Sequence, residues 1–213
     1  MTLVGYWPLN EDSGDTAYDH SGKENHGSLK GSVTQGSTGV LGDSAYSFSG
    51  GNVSTNFSID QTGSKSYTFS AWAKTADASG STGQIISSDD GGYDWSILQG
   101  KNNAEWELFT GSGVLSSGIT LDSKWHLITG VFDTSTNKTK LYVDGVLRAQ
   151  GSIATDSSDN SINIGENPGN FSEPWDGKIS EVRIYDRPLT KSEVQYLYSV
   201  GKRGRHVTSK KSS

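Results

Sequence analysis

Carboxylates and aromatic side chains share one glycine-bearing loop at residues 88–95, where three aspartates stand beside Tyr93 and Trp95. Aromatic faces cover the apolar face of a sugar ring, and carboxylates accept hydrogen bonds from its hydroxyl groups. We therefore predict that Tyr93, Asp94 and Trp95 bind carbohydrate, together with Trp175 from a comparable loop. The alternatives are that Trp95 begins a strand and belongs to the core, and that Trp175 closes one end of the fold.

A second candidate site lies in the loop at residues 19–27, which contains Asp19, Asn25 and two glycines. Ca²⁺ prefers six to eight oxygen ligands, from carboxylates, amide carbonyls and backbone carbonyls. A loop with this composition can turn its backbone oxygens inward around such an ion, which makes Asp19 and Asn25 candidate ligands. The alternative is that Asp19 only caps the loop by bonding to nearby backbone N–H groups.

A third arrangement consists of Glu105 and Glu107, two carboxylates on one face of a predicted strand. Strand rise separates such residues by about 7 Å. Glycosidases use two carboxyl groups about 5–9 Å apart, so the spacing is compatible with hydrolysis. A solvated strand face is the alternative.

Composition predicts which elements hold these residues. The 213-residue chain is 31% hydrophobic and contains 27 glycines, six Trp, nine Tyr and six Phe. This balance favours many short strands and solvated loops around an aromatic core, in one all-β domain. The absence of cysteine excludes disulfides, thiolate metal sites and a cysteine nucleophile.

Charge is divided unevenly along the chain. Residues 202–213 contain five Lys and Arg and no acid, so the net charge of −6 becomes −11 for residues 1–201 (13 basic minus 24 acidic). We predict an acidic domain at 1–201 that does not bind nucleic acid, followed by a basic tail at 202–213. That tail is either a solvated terminus or a docking peptide for an anionic surface or for a neighbouring copy.

The sequence also shows no signal-peptide or membrane-span pattern. Residues 1–7 lack the charged and apolar regions of a signal peptide, and no apolar run approaches the ~20 residues that span a bilayer. We expect a chain without signal peptide or membrane span, acting outside the cell or on a cell or virion surface.

Strand-like runs separated by turn signals recur along the chain. The clearest lie at 4–9, 45–48, 67–74, 84–87, 95–99, 105–110, 125–133, 139–143, 146–150, 161–164 and 178–185. Asp144 and Gly145 form the two-residue hairpin signal between two of them. Residues 10–39 are polar and glycine-rich, which predicts an extended loop with at most a short strand near 27–29.

The closing segment at residues 175–198 is the most informative. Alternation from Ile179 predicts a strand with one buried face, formed by Ser180, Val182 and Ile184. Thr190 followed by Glu193 is a capping-box signature, so a short helix carrying Val194, Leu197 and Tyr198 should follow.

Several segments resemble, in sequence order, the laminin-G-like jelly-roll domains of the concanavalin A-like lectin and glucanase superfamily. They are Tyr-Trp-Pro-Leu-Asn-Glu at 6–11, the Asp-His-Ser-Gly loop and Asn-His-Gly within 19–27, Phe-Ser-Ala-Trp at 69–72, Lys-Trp-His-Leu at 124–127, Leu-Tyr-Val-Asp-Gly at 141–145, Ile-Asn-Ile-Gly at 162–165 and the closing segment. The resemblance covers residues 4–198. It implies a two-sheet antiparallel β-sandwich, a jelly roll, which the strand pattern also predicts.

The resemblance also informs the sites. In this family a loop like 19–27 often holds calcium against an acidic residue of the last strand. Here Ser180 occupies the position of that acidic residue, which leaves the neighbouring Glu181 as the candidate ligand. The family's hydrolases carry Glu-x-Asp-x-x-Glu, whereas Glu107 is followed by Leu108, Phe109 and Thr110. The missing acids favour the solvated-face interpretation.

We therefore predict a non-enzymatic domain that binds carbohydrate or a glycosylated surface and acts in attachment, with Ca²⁺ as a structural support. The alternative is a viral or phage virion component, such as a spike, decoration or tail protein, in which the basic tail anchors self-assembly. A glycoside hydrolase is a distant third, because this jelly roll is found in lectins, adhesins and enzymes alike.

Overall fold

The computed structural model describes residues 2–40, 44–62, 64–92, 94–100, 103–155, 159–169 and 173–209. These form fourteen strands and one helix. They are β1 (Leu3–Trp7), β2 (Thr16–Ala17), β3 (Gly27–Thr38), β4 (Ser44–Asp60), β5 (Tyr67–Thr75), β6 (Gly83–Ser87), β7 (Trp95–Gln99), β8 (Glu105–Thr110), β9 (Val114–Thr120), β10 (His126–Asp133), β11 (Lys138–Val143), β12 (Val146–Gly151), β13 (Asp159–Ile164), β14 (Asp176–Tyr185) and α1 (Lys191–Ser209).

The strands form one antiparallel hydrogen-bonded path in the order β12-β11-β10-β5-β14-β4-β13-β6-β7-β8-β9, with β1 on β14, β3 on β4 and β2 on β3. The path curls until its two ends meet. A Cβ added to Gly151 of β12 would lie 2.8 Å from Leu115 of β9, and one added to Gly130 of β10 would lie 2.4 Å from Leu108 of β8. The two halves of the sheet thus face each other across the core, in a nearly closed, barrel-like arrangement.

The all-antiparallel architecture and the C-terminal helix agree with the sequence. The sequence also predicts two separate sheets, whereas the described strands join in one path. The connection is β4, whose first part pairs with β14 (Tyr46 with Ile179) and whose later part pairs with β13 (Ser54 with Asn163). Gly50, at φ 88°, lies between the two parts and lets the strand change direction.

Large aromatic side chains fill the space between the two halves. Fully buried members include Trp7, Trp95, Trp106, Trp175 and Phe132. Each buries a large apolar area, and this stabilises a chain whose hydrophobic fraction is modest.

Residues 10–39 are more regular than predicted. β3 covers twelve of them and pairs with β4 from Gly27 opposite Thr55 to Thr38 opposite Ser44. Its apolar residues, Leu29 and Val33, are too sparse to signal a strand in the sequence. The strand forms because its backbone pairs with the long β4.

The burial of the closing segment also differs from the burial that its alternation predicts. Ser180, Glu181 and Val182 are all buried, because β14 lies between β5 and β4 and α1 covers its outer face. Tyr185 of β14 packs there with Val194 of α1. The helix itself starts as predicted and continues through Ser209, so the predicted boundary between domain and tail falls within it.

Candidate functional site

A groove runs over the outer face of β6, β7 and β8. It consists of two adjoining hollows of about 310 Å³ and about 290 Å³, both lined by Asp89, Phe109 and Glu173. We call these two hollows the outer groove. The loops that supply Asp89 and Glu173 are the same two loops that the sequence marks as sugar-binding.

Strand alternation determines which side chains reach the outer groove. In β8, Trp106 and Leu108 point into the core, so Glu107 and Phe109 project outward. Backbone pairing then aligns Gln84, Leu98 and Glu107 in one row across β6, β7 and β8. With strands about 4.8 Å apart, the backbones of Gln84 and Glu107 lie about 10 Å from each other.

Gln84 is the most unusual residue of this row. Its side chain lines the groove, yet the residue is only 2% exposed. Its Nε2 donates to Glu173 Oε2 at 2.6 Å, whereas no described residue donates to its Oε1. A buried carbonyl oxygen without a donor costs about 1–3 kcal/mol, so a bound molecule that donates here would recover this energy.

The groove carboxylates are held by neighbouring groups. Glu173 Oε2 also accepts from Asn167 Nδ2 at 3.3 Å, and Glu107 Oε1 accepts from Ser116 Oγ at 2.8 Å. Burial, together with the nearby charge of Glu173, raises the pKa of Asp89, although Gly91 N–H donates to its carboxylate at 3.0 Å. The groove therefore presents fixed acceptors beside the partly exposed aromatic ring of Phe109.

Two of the residues predicted to contact sugar in the first loop, Asp94 and Trp95, do not line this groove. Trp95 is fully buried, stacks on Phe132 at 4.9 Å and donates from Nε1 to the Ala154 carbonyl oxygen at 2.8 Å. Asp94 is buried as well, and its Oδ2 accepts from Gly92 N–H at 2.8 Å. The core interpretation of Trp95 fits this placement, and Tyr93 lies outside the described residues.

Trp175 is also a core residue. It is fully buried, lies 6.1 Å from Trp106 and packs against Gly83, where an added Cβ would come within 3.3 Å of its ring. Stacking of a sugar on Trp95 or Trp175 does not fit this burial. The two loops that the pattern indicates do border the outer groove, and the carboxylates that they place there are Asp89 and Glu173.

The predicted calcium ligands Asp19 and Asn25 are brought together by a hydrogen bond. Asp19 Oδ2 accepts from Asn25 N–H at 2.9 Å and Ser21 Oγ at 2.8 Å, while Oδ1 accepts from Tyr6 N–H at 2.9 Å and Ser21 N–H at 2.8 Å. Burial acts to raise the pKa of Asp19, but these hydrogen bonds outweigh it and lower the pKa. This geometry is that of the loop-capping alternative.

Glu181 is linked to this loop through Tyr6. Its carboxylate accepts from the Tyr6 hydroxyl at 3.1 Å and pairs with Arg183, and its backbone lies at φ 59° in a β-bulge. Direct coordination by Asp19 would require donors of its own loop to be displaced. Within the described ranges, no group of three or more His, Asp or Glu residues is placed to hold a metal ion.

The described residues thus form an antiparallel β domain with an open groove that is rich in hydrogen-bond acceptors. The family comparison agrees with this fold. Residues 47–195 match the laminin G family model described as the concanavalin A-like lectin/glucanases superfamily, and the chain belongs to that family. A comparison with curated proteins found no match.

Solved structures share the fold at low sequence identity. Domain 4 of AbnA, an extracellular GH43 arabinanase from Geobacillus stearothermophilus solved with arabinotriose, has a TM-score of 0.73 and 19% identity, covering 92% of this chain and 98% of that domain. The binding domain of Paraclostridial Mosquitocidal Protein 1 has a TM-score of 0.70 and 18% identity, covering 92% of this chain and 52% of that one. A sialidase of Trypanosoma rangeli has a TM-score of 0.68 and 15% identity, covering 92% and 33%.

The chain thus spans about half the length of the mosquitocidal binding domain that it matches. Its one described helix does not have the length and apolar character needed to cross a membrane.

Proposed function

We propose that this protein binds carbohydrate at the outer groove without cleaving it. The observation that carries the proposal is that Gln84, a residue that lines the groove, keeps its Oε1 buried and without a donor among the described residues. A sugar hydroxyl would supply that donor once the Gln84 side chain turns its Oε1 toward the groove. Phe109, in the same groove, offers a ring that can cover the apolar face of the sugar.

Recognition rather than hydrolysis is supported by the placement of the two glutamates of β8. Glu105 Oε2 accepts from Gly118 N–H at 2.8 Å and does not line the groove, whereas Glu107 does. The pair therefore does not flank one bound ligand, as an acid and a nucleophile must. We expect no product when the tightest-binding oligosaccharide is incubated with the protein and analysed by chromatography; released sugars would contradict the non-enzymatic role.

The binding site is tested by variants measured on an oligosaccharide selected from a glycan array. Gln84→Leu and Phe109→Ala should each weaken binding at least tenfold in calorimetric titration. Glu105→Gln is the matched control, since this carboxylate lies on the same face of β8 but outside the groove. Unchanged affinity in both groove variants, with their folding verified by thermal unfolding, would place the site elsewhere.

We further propose that the two facing halves of the curled sheet correspond to the two sheets of the predicted jelly roll. The domain would present the outer groove to glycosylated surfaces outside the cell. Virion attachment or self-assembly through residues 202–213 is the second candidate. It is favoured by five cations and no acid in that segment against a body of net charge −11 (13 basic minus 24 acidic).

Calcium near Asp19, Asn25 and Glu181 is a separate hypothesis, tested by thermal unfolding in EDTA-cleared buffer with and without millimolar Ca²⁺. A ligand at 100 times its dissociation constant adds about 2.7 kcal/mol of stability. The hypothesis expects a higher melting temperature that is lost in Asp19→Asn. Because the Asp19 carboxylate already accepts four hydrogen bonds, an unchanged melting temperature is the result expected from the loop-capping interpretation.

A further inference from the structure

We propose that the outer groove is selective for amino sugars that carry a free, positively charged amine, such as unacetylated hexosamines. This inference rests on the proposed function and specifies the class of sugar. It follows from the kinds of hydrogen-bonding groups that the groove leaves available.

The charge of the groove has one sign. Asp89, Glu107 and Glu173 line it, and none of its described lining residues is Lys, Arg or His. A sialylated or sulfated sugar would meet like charges here, and like-charge juxtaposition is strongly unfavourable. An ammonium group would meet opposite charges.

The side-chain amide groups of the groove are directed at one of its own carboxylates. Gln84 Nε2 and Asn167 Nδ2 each donate a hydrogen bond to Glu173 Oε2, at 2.6 Å and 3.3 Å. The remaining amide oxygen of Gln84 is an acceptor, as are the carboxylates. A neutral sugar brings hydroxyl groups that both donate and accept, whereas an ammonium group only donates and therefore complements this set.

Two other cationic ligands fit less well. A metal ion is disfavoured, because no group of three or more described His, Asp or Glu residues is placed to hold one. Compared with a lysine-rich peptide, a sugar ring has an additional complement in Phe109, which lies between the two hollows and lines both. An apolar ring face beside acceptors is the arrangement that a hexosamine matches, with its C–H face and its amine.

Calorimetric titration of the full chain with β-1,4-linked glucosamine tetramer and with its N-acetylated counterpart tests the inference, at a pH where the free amine is charged. The unacetylated tetramer should bind at least tenfold more tightly, and its affinity should fall with added salt. Glu107→Gln should reduce this preference several-fold, whereas Glu105→Gln, on the same strand face but outside the groove, should leave it unchanged.

Equal or tighter binding of the acetylated tetramer would overturn the selectivity while supporting sugar binding. Equally tight binding of tetralysine would overturn it as well, because the groove would then respond to charge alone. If neither these tetramers nor any neutral oligosaccharide of the array binds, the proposed function fails, which is a distinguishable result.

Discussion

At the scale of single residues, His126 shows how charged groups stabilise this fold away from the groove. Its Nδ1 lies 2.8 Å from Asp144 Oδ2 and its Nε2 lies 2.9 Å from Asp122 Oδ1. A neutral imidazole would face one carboxylate with a bare nitrogen, so the geometry requires the protonated ring. Burial acts to lower the pKa of His126, but the bonds and charges of the two aspartates outweigh it and raise the pKa.

This arrangement predicts a pH dependence of stability. The pKa of His126 is raised in the folded state, so its contribution is fully present below the unfolded value of about 6.5 and is lost as pH rises through the folded value. Urea unfolding of the wild type should therefore show decreasing stability from pH 6.5 upward.

In His126→Asn that decrease should be smaller. Asp144→Asn is the matched second variant: asparagine tolerates the left-handed conformation at φ 54° and can still accept from Leu127 N–H, but it lacks the charge. Identical pH profiles for the wild type and both variants would contradict the account.

At the scale of elements, the start of α1 is built as its local sequence indicates. Thr190 Oγ1 accepts from Glu193 N–H at 3.4 Å, and Glu193 Oε2 accepts from Thr190 N–H at 2.8 Å. Arg187, which bonds to the same carboxylate, and Thr190 together lower the pKa of Glu193 to about 2. The cap thus links the end of β14 to the helix that covers it.

Removing the capping hydroxyl should destabilise the protein. Thr190→Ala is expected to lower the free energy of unfolding by about 1 kcal/mol, since capping substitutions of this kind have that typical effect. Chemical unfolding followed by circular dichroism measures it. Ser192→Ala, an exposed change two residues later in the same turn, is the control, and an equal effect of both variants would show that the cap does not contribute.

The hairpin and the helix cap were predictable from the sequence because residues only a few positions apart determine them. Asp144 and Gly145 form the hairpin with φ values of 54° and 76°, and the capping box forms as its spacing indicates. Which side of β8 faces the core depends on the curling of the whole sheet. For that reason the sequence left open whether Trp95 and Trp175 belong to the core, and it did not point to Gln84, although the outward alternation of Glu107 and Phe109 was a usable signal for the proposed groove.

At the scale of the whole molecule, the acidic body and the basic C-terminal residues 202–213 are joined by one helix. Gly201 lies in tight contact with the sheet, because an added Cβ there would lie 2.5 Å from the Trp72 ring. Among the side chains described, the contacts that pack α1 on the sheet are made by residues before 202.

Deleting residues 202–213 should therefore leave the melting temperature nearly unchanged. If the basic segment mediates assembly, size-exclusion chromatography with light scattering should show a larger species for the full chain and a smaller one for the truncated chain. The same mass for both would contradict assembly through this segment.

Sugar binding at the outer groove is the proposal on which the selectivity for amino sugars also depends. The most direct measurement is a crystal structure of the full chain with the tightest-binding oligosaccharide. We predict that the sugar lies against Phe109, within hydrogen-bonding distance of Gln84 Oε1 and between Glu107 and Glu173. A sugar bound at another surface, with the outer groove holding only water, would contradict the account.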